Sequence, residues 1–156
     1  MIYLDTNAFY LFFFENEKYT PGIKKILSRI QLGEEEGMTS CITLDELAYV
    51  VLMRLIEKTY RKHPSQVLRE SPEAILEFVP KIRQMFDIIF SFKNLRVVEC
   101  DRDLVGVIPI LMERMLLPRD CIHLQTMIDH GCNEILTTDL HFDGIADIRR
   151  IRPEDV

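Results

Sequence analysis

Ile135-Leu136-Thr137-Thr138-Asp139 is a short apolar run that ends on an aspartate, and Met1-Ile2-Tyr3-Leu4-Asp5-Thr6-Asn7 repeats that design at the start of the chain. After each run the chain turns toward a helix or loop. Read as parallel strands of one sheet, the two runs bring Asp5 and Asp139 to the same edge. Ligands of open α/β sheets bind outside the carboxyl ends of the strands, so two acids there are the seed of a divalent-metal site.

Between the two runs, strands alternate with helices. Thr6 or Asn7 caps a helix over 8–16, which carries Phe9, Tyr10, Leu11, Phe12, Phe13 and Phe14. That helix is apolar nearly all round, so it is buried on more than one side, in the core or at a subunit interface. Pro21 opens a second helix to about Leu32, and Gly33 ends it. Residues 38–42 form a short strand-like link. Thr43-Leu44-Asp45-Glu46 then begins a long helix. Thr43-x-x-Glu46 has the form of a capping box, which competes with any chemical role for Glu46. The basic, weakly patterned stretch 58–71 reads as a loop or insertion. A helix follows from Pro72 to about Phe92, then a strand over 95–100. A helix over 101–116 is weakened in its middle by Gly106 and Pro109. Pro118 starts a helix that stops before Gly131, and strands are expected over 133–137 and 148–151. This alternation predicts a three-layer α/β fold with a parallel sheet.

The 156 residues fit one domain, long enough to bury a core without disulfides or metal staples. No apolar run approaches a membrane span. Asp5 interrupts the first residues and no basic region precedes them, unlike a signal peptide, so the expected location is the cytoplasm. None of the four cysteines forms a C-x-x-C pair, and they read as small buried hydrophobes. A net charge of −6 argues against broad charge-driven nucleic-acid binding, but not against a nuclease whose acidic site is masked by metal ions.

Four carboxylates lie at element junctions. Asp5 and Asp139 end strands, and Glu46 and Asp120 lie in the first turns of helices. In a wound α/β unit these junctions share one face. Close carboxylates cannot all stay ionised without a counter-charge. Hard cations with oxygen ligands resolve this: Mg²⁺ favours a few carboxylates, retained waters and phosphate oxygens, and paired ions stabilise both oxygens of a phosphodiester displacement. Asp143 lies four residues beyond Asp139. Each acid alone is equally a helix-dipole or turn residue; the set carries more than its members. Thr6, Asn7 and Thr137 either orient a carboxylate or metal-bound water or simply cap and turn the chain. Arg119 reads as a surface ion-pair residue ahead of a phosphate contact. His123, one turn after Asp120, reads as structural ahead of metal-ligating, and His130 and His141 as surface residues. No G-x-x-x-x-G-K-[ST], G-x-G-x-x-G or G-x-S-x-G occurs, which argues against nucleotide cradles and serine hydrolases.

Four ordered segments make the chain resemble the PIN domain family, metal-dependent ribonucleases that include VapC-type toxins. They are Tyr3-Leu4-Asp5-Thr6-Asn7, the stretch from Thr39 to Leu47, Pro118-Arg119-Asp120-Cys121-Ile122-His123-Leu124, and the stretch from Ile135 to Asp143. The resemblance implies an α/β/α sandwich in which Asp5, Glu46, Asp120 and Asp139 bind Mg²⁺ or Mn²⁺, with Asp143 as an additional acid and Thr137 as the polar residue of a T-x-D motif. It implies hydrolysis of RNA phosphodiesters by metal-activated water, a homodimer, and an antitoxin as inhibitory partner. Two other classes fit less well. One is a catalytically silent PIN-like binding module, against which the complete acid set argues. The other is a metal-dependent DNA nuclease or phosphohydrolase, with similar acids and another substrate.

Overall fold

The computed structural model describes residues 1–156. Its centre is a sheet of five strands: β1 (Ile2–Leu4), β2 (Gly37–Ser40), β3 (Leu95–Val98), β4 (Glu134–Leu136) and β5 (Arg149–Ile151). They lie in the order β3-β2-β1-β4-β5, every neighbouring pair parallel. Parallel neighbours need crossover connections, and helices supply them. These are α1 (Thr6–Phe13), α2 (Thr20–Leu32), α3 (Cys41–Tyr60), α4 (Pro64–Glu70), α5 (Ile75–Phe90), α6 (Arg102–Gly106), α7 (Ile108–Met112) and α8 (Pro118–Asp129).

The two-residue period of β1 sorts the layers. Ile2 and Leu4 pack into one cluster with residues of α1, α2, α3 and α5, such as Phe9, Ile23, Leu47 and Ile89. Tyr3 faces the opposite cluster, with Met38, Met127 of α8 and Phe142. Neighbouring β4 splits likewise, Leu136 to the first cluster and Ile135 to the second. The result is the expected three-layer α/β/α sandwich with a central parallel sheet.

From β1 the chain winds outward through β2 to β3, then returns past β1 to lay down β4 and β5. The strand order therefore reverses between β1 and β4, which pair Leu4 with Leu136. A crevice opens at the carboxyl ends of strands at such a switch point. Asp5 and Thr137 are the first residues beyond those two strand ends.

Several local expectations change. Asp5 itself caps α1, its carboxylate accepting the Thr6 N–H. α3 begins at Cys41, directly after β2, so Thr43 is already inside the helix. Its hydroxyl turns to the buried Tyr3 hydroxyl, and the capping box does not form. The stretch 58–71, expected as a loop or insertion, is mostly helical: α3 runs to Tyr60, Arg61 turns the chain with φ 52°, and α4 follows behind Pro64. Val67 anchors α4 in a small cluster with Ile56, Ala74 and Phe78. A seven-residue helix with one buried anchor is too short to give a readable period. The weak helix over 101–116 is broken in two at Val107, between Gly106 and Pro109. Gly33 closes α2 in the left-handed region, φ 81°, as its position predicts. No helix is long and apolar enough to cross a membrane.

Candidate metal centre

Asp5, at the tip of β1, is only 6% exposed. Its Oδ1 accepts the Thr6 N–H at 2.6 Å, and its Oδ2 accepts Asn7 Nδ2 at 2.6 Å and Thr137 Oγ1 at 2.7 Å. Thr137 Oγ1 in turn accepts from Asn7 Nδ2 and from the Asp139 N–H, at 2.7 and 3.0 Å. Asn7 and Thr137 thus hold the carboxylate and stitch the two strand ends together.

Glu46 reaches in from the second turn of α3. Its Oε2 accepts Thr6 Oγ1 and its Oε1 accepts Arg119 Nη1, each at 2.7 Å. Thr6 therefore touches two acids at once, by its backbone N–H and its hydroxyl. His123 of α8, 2% exposed, puts Nε2 3.7 Å from both Asp5 Oδ1 and Glu46 Oε2. Asp120, one turn earlier on α8, is 8% exposed, and its Oδ2 is buried with no hydrogen-bond partner. His141 Nδ1 stands 3.6 Å from that oxygen and 3.3 Å from Asp139 Oδ1.

The candidate ligands thus form two groups, Asp5–Glu46–His123 and Asp120–Asp139–His141, the ligand atoms within each lying within 4.8 Å of one another. Thr137 joins the groups through its bonds to Asp5 and Asp139. Asp120 and His123 join them along one face of α8, three residues apart. Asp143 belongs to neither. Arg150 grips it with Nε and Nη2, both at 2.8 Å, and Arg152 lies 3.8 Å away. Asp143, expected as an additional metal-binding acid, stands here in a surface ion pair.

A family model for the PIN domain matches residues 2–148. The chain belongs to the PIN domain family. No curated protein matches it by sequence. Among solved structures, this PIN domain is similar to VapBC2 from Rickettsia felis bound to a DNA fragment from their promoter, with TM-score 0.59 and 18% identity over 97% of this chain and 98% of that one. It is similar to a toxin-antitoxin complex from Klebsiella pneumoniae, with TM-score 0.59 and 18% identity over 98% of both chains. It is also similar to VapC20 of Mycobacterium tuberculosis, a Sarcin-Ricin loop cleaving toxin, with TM-score 0.59 and 14% identity over 96% of this chain and 99% of that one. At these identities the likeness is one of fold.

The electrostatics of the PIN domain's acids are uneven. Burial pushes the Asp5 carboxyl above the usual range, against the pull of His123, Thr137 and the Thr6 N–H, and Glu46 adds to the push. Burial, then Asp139, raises Asp120 likewise. Glu46 moves the other way: His123, Thr6 and Arg119 hold its carboxyl down at about 2 despite partial burial. Asp143, gripped by Arg150, is also held low. Asp5 and Asp120 are therefore carboxylates kept where ionisation is costly, one of them with an oxygen that accepts no hydrogen bond. A buried unpaired charge is retained where something compensates it. Carboxylate oxygens at two adjacent points suit a hard divalent cation, so the donor set fits Mg²⁺ or Mn²⁺.

Two contributors escaped sequence reasoning. His141, read as a surface side chain, is exposed but sits against Asp120 and Asp139. The 3₁₀ turn Leu140–Phe142 after Asp139 folds it back. Tyr3, read only as a strand residue, places its hydroxyl on His123 Nδ1 at 2.8 Å. The available signal was a tyrosine inside an otherwise aliphatic buried strand, whose polar tip requires a partner.

Proposed function

We propose that this PIN domain is a metal-dependent endoribonuclease that hydrolyses RNA phosphodiester bonds and acts as the toxin of a toxin–antitoxin pair. The observation that carries the reading is the unpaired, buried Oδ2 of Asp120, beside Asp139 and close to the sheet's switch point. Asp5, Glu46, Asp120 and Asp139 would hold Mg²⁺ or Mn²⁺. Bound there, the cation supplies an activated water and neutralises charge on the phosphate. Asn7 and Thr137 fix the Asp5 carboxylate, and Thr6 sets its distance from Glu46. Arg119, with one of its five N–H groups on Glu46, keeps donors for a phosphate at the site's rim.

The toxin assignment draws on the solved structures, two of which are VapBC2 and a toxin-antitoxin complex, matched over 97–98% of this chain. The RNA assignment draws on VapC20, a Sarcin-Ricin loop cleaving toxin. On this reading the partners are an antitoxin protein and a second copy of the chain, and the place of action is the cytoplasm.

The test is cleavage of RNA in Mn²⁺ by the wild type and by Asp5→Asn, with DNA and small phosphate esters run in parallel. The expected result is RNA cleavage that falls by at least about a hundredfold in the variant, the scale of losing a preorganised catalytic group. Undiminished cleavage by Asp5→Asn overturns the metal-site reading, and preferential cleavage of DNA or an ester overturns the substrate.

A further inference from the structure

Beneath the Asp5–Glu46 pair lies a buried polar network that the proposed chemistry does not use. The Tyr3 hydroxyl meets Ser40 Oγ at 2.8 Å, Thr43 Oγ1 at 3.1 Å and His123 Nδ1 at 2.8 Å. A phenol has one proton to give and two lone pairs. Burial pushes Tyr3 far above the usual phenol range, so the proton stays. Ser40 and Thr43 each carry a hydroxyl proton, and each contact can run in either direction; with both donating, they fill both lone pairs of the phenol oxygen. The phenol's own proton is then directed at His123 Nδ1. A neutral imidazole has a single N–H, so with Nδ1 accepting, that hydrogen sits on Nε2.

Nε2 faces the two carboxylates at 3.7 Å each. That is beyond direct hydrogen bonding, yet well within electrostatic reach. The other tautomer would aim a bare lone pair at two anions.

We propose that Tyr3 and His123 form a buried relay that keeps Nε2–H directed between Asp5 and Glu46, making both residues positioning residues for these carboxylates and His123 no metal ligand. The inference rests on the metal-dependent reading above for its purpose, though not for its geometry. Neighbours that orient a metal site's ligands in this way set metal affinity: replacing one costs roughly 10–100-fold.

Two readouts test the relay without RNA cleavage. The first is long-range ¹H–¹⁵N NMR of His123 in the metal-free wild type, at a pH where imidazole is neutral. The expected result is a protonated Nε2 and a bare Nδ1; a protonated Nδ1 overturns the relay. The second is calorimetric titration of Mn²⁺ into the wild type, Tyr3→Phe, His123→Leu and His123→Gln. Tyr3→Phe keeps the buried ring and leaves Ser40 and Thr43, 3.2 Å apart, to bond each other. Expected is a loss of roughly tenfold or more in affinity for Tyr3→Phe and His123→Leu, and recovery of most of it in His123→Gln, whose amide N–H replaces Nε2–H. Wild-type Mn²⁺ affinity in Tyr3→Phe overturns the relay. A wild type with the expected tautomer and Mn²⁺ affinities but no RNA cleavage refutes only the nuclease reading.

Discussion

Thr137 Oγ1 donates to Asp5 Oδ2 at 2.7 Å, joining residues 132 positions apart in sequence. The same oxygen accepts the Asp139 N–H at 3.0 Å. One hydroxyl thus sets the spacing of the two strand-end acids. Thr137→Val keeps the shape and removes the hydroxyl, leaving the Asp5 oxygen short of a donor. Mn²⁺ affinity is expected to fall about tenfold or more, while Thr137→Ser retains it. Calorimetric titration of both variants checks this; equal affinities for Val and wild type would contradict it.

Asp120 is held in place at a cost to the metal-free protein. Its carboxyl is raised, first by burial and then by Asp139. A raised folded-state pKa means the native state binds the proton more tightly than the unfolded one. The stability this group contributes is present at low pH and is lost as pH rises through the raised value. In chelator near pH 7, Asp120→Asn is therefore expected to be more stable than the wild type. What the variant removes is the buried charge and its repulsion with Asp139, and each kcal/mol gained shifts Tm by roughly 2–4 °C in a chain of this size. The gain should shrink as the pH is lowered. A lower Tm for the variant at pH 7 in chelator would contradict the argument.

Glu46 has the opposite sign. His123, Thr6 and Arg119 hold its carboxyl at about 2 in the folded protein. A depressed value contributes stability above the unfolded carboxylate value of about 4.3, lost as pH falls toward 2. Arg119→Met removes one of the three supports and leaves the apolar stem. Because the Arg119 side chain is 46% exposed, solvent screens much of the pair, and the loss at pH 7 should be only roughly 0.5 kcal/mol. The clearer signature is in acid: between the unfolded carboxylate value and the depressed folded one, the variant's melting temperature should fall by less than the wild type's, so that the two curves converge. Identical Tm–pH curves would refute the assignment.

Gly22 on α2 is fixed by close approach rather than by backbone freedom. A Cβ there would stand 1.8 Å from the Pro153 carbonyl oxygen, a backbone atom of the last 3₁₀ turn. Gly22→Ala must push that turn off α2, which overpacking data put at about 1–3 kcal/mol. Urea unfolding should show a lower midpoint with an unchanged slope. A midpoint equal to the wild type's would mean that the turn moves freely.

Much of the architecture is written in local pattern. Apolar runs of strand length, proline at helix starts and glycine at helix ends depend on near neighbours in the chain. The strands, α2 and α8 accordingly fall close to where the sequence puts them. Thr43 and Glu46 show where that logic fails. Their spacing is that of a capping box, yet Thr43 bonds Tyr3 and Glu46 bonds Thr6 and Arg119. These partners lie 40 or more positions away along the chain, so no local rule finds them. Asp143 is different: its partner, Arg150 of β5, lies only seven residues on, but the turn that brings the two together is not written in a regular period.

By itself the sequence determined that acids end β1 and follow β4, and that Glu46 and Asp120 sit near helix starts, because side-chain period and capping chemistry act over a few residues. The tertiary structure decided which of those acids meet: Asp5 with Glu46, Asp120 with Asp139, and Asp143 with none. It also decided that Tyr3 and His123 lie beneath the first pair. Those choices follow from the strand order, which brings β1 and β4 side by side with their carboxyl ends at one crevice. Contacts between residues far apart along the chain are set by how whole layers pack, and near-neighbour chemistry carries no record of that.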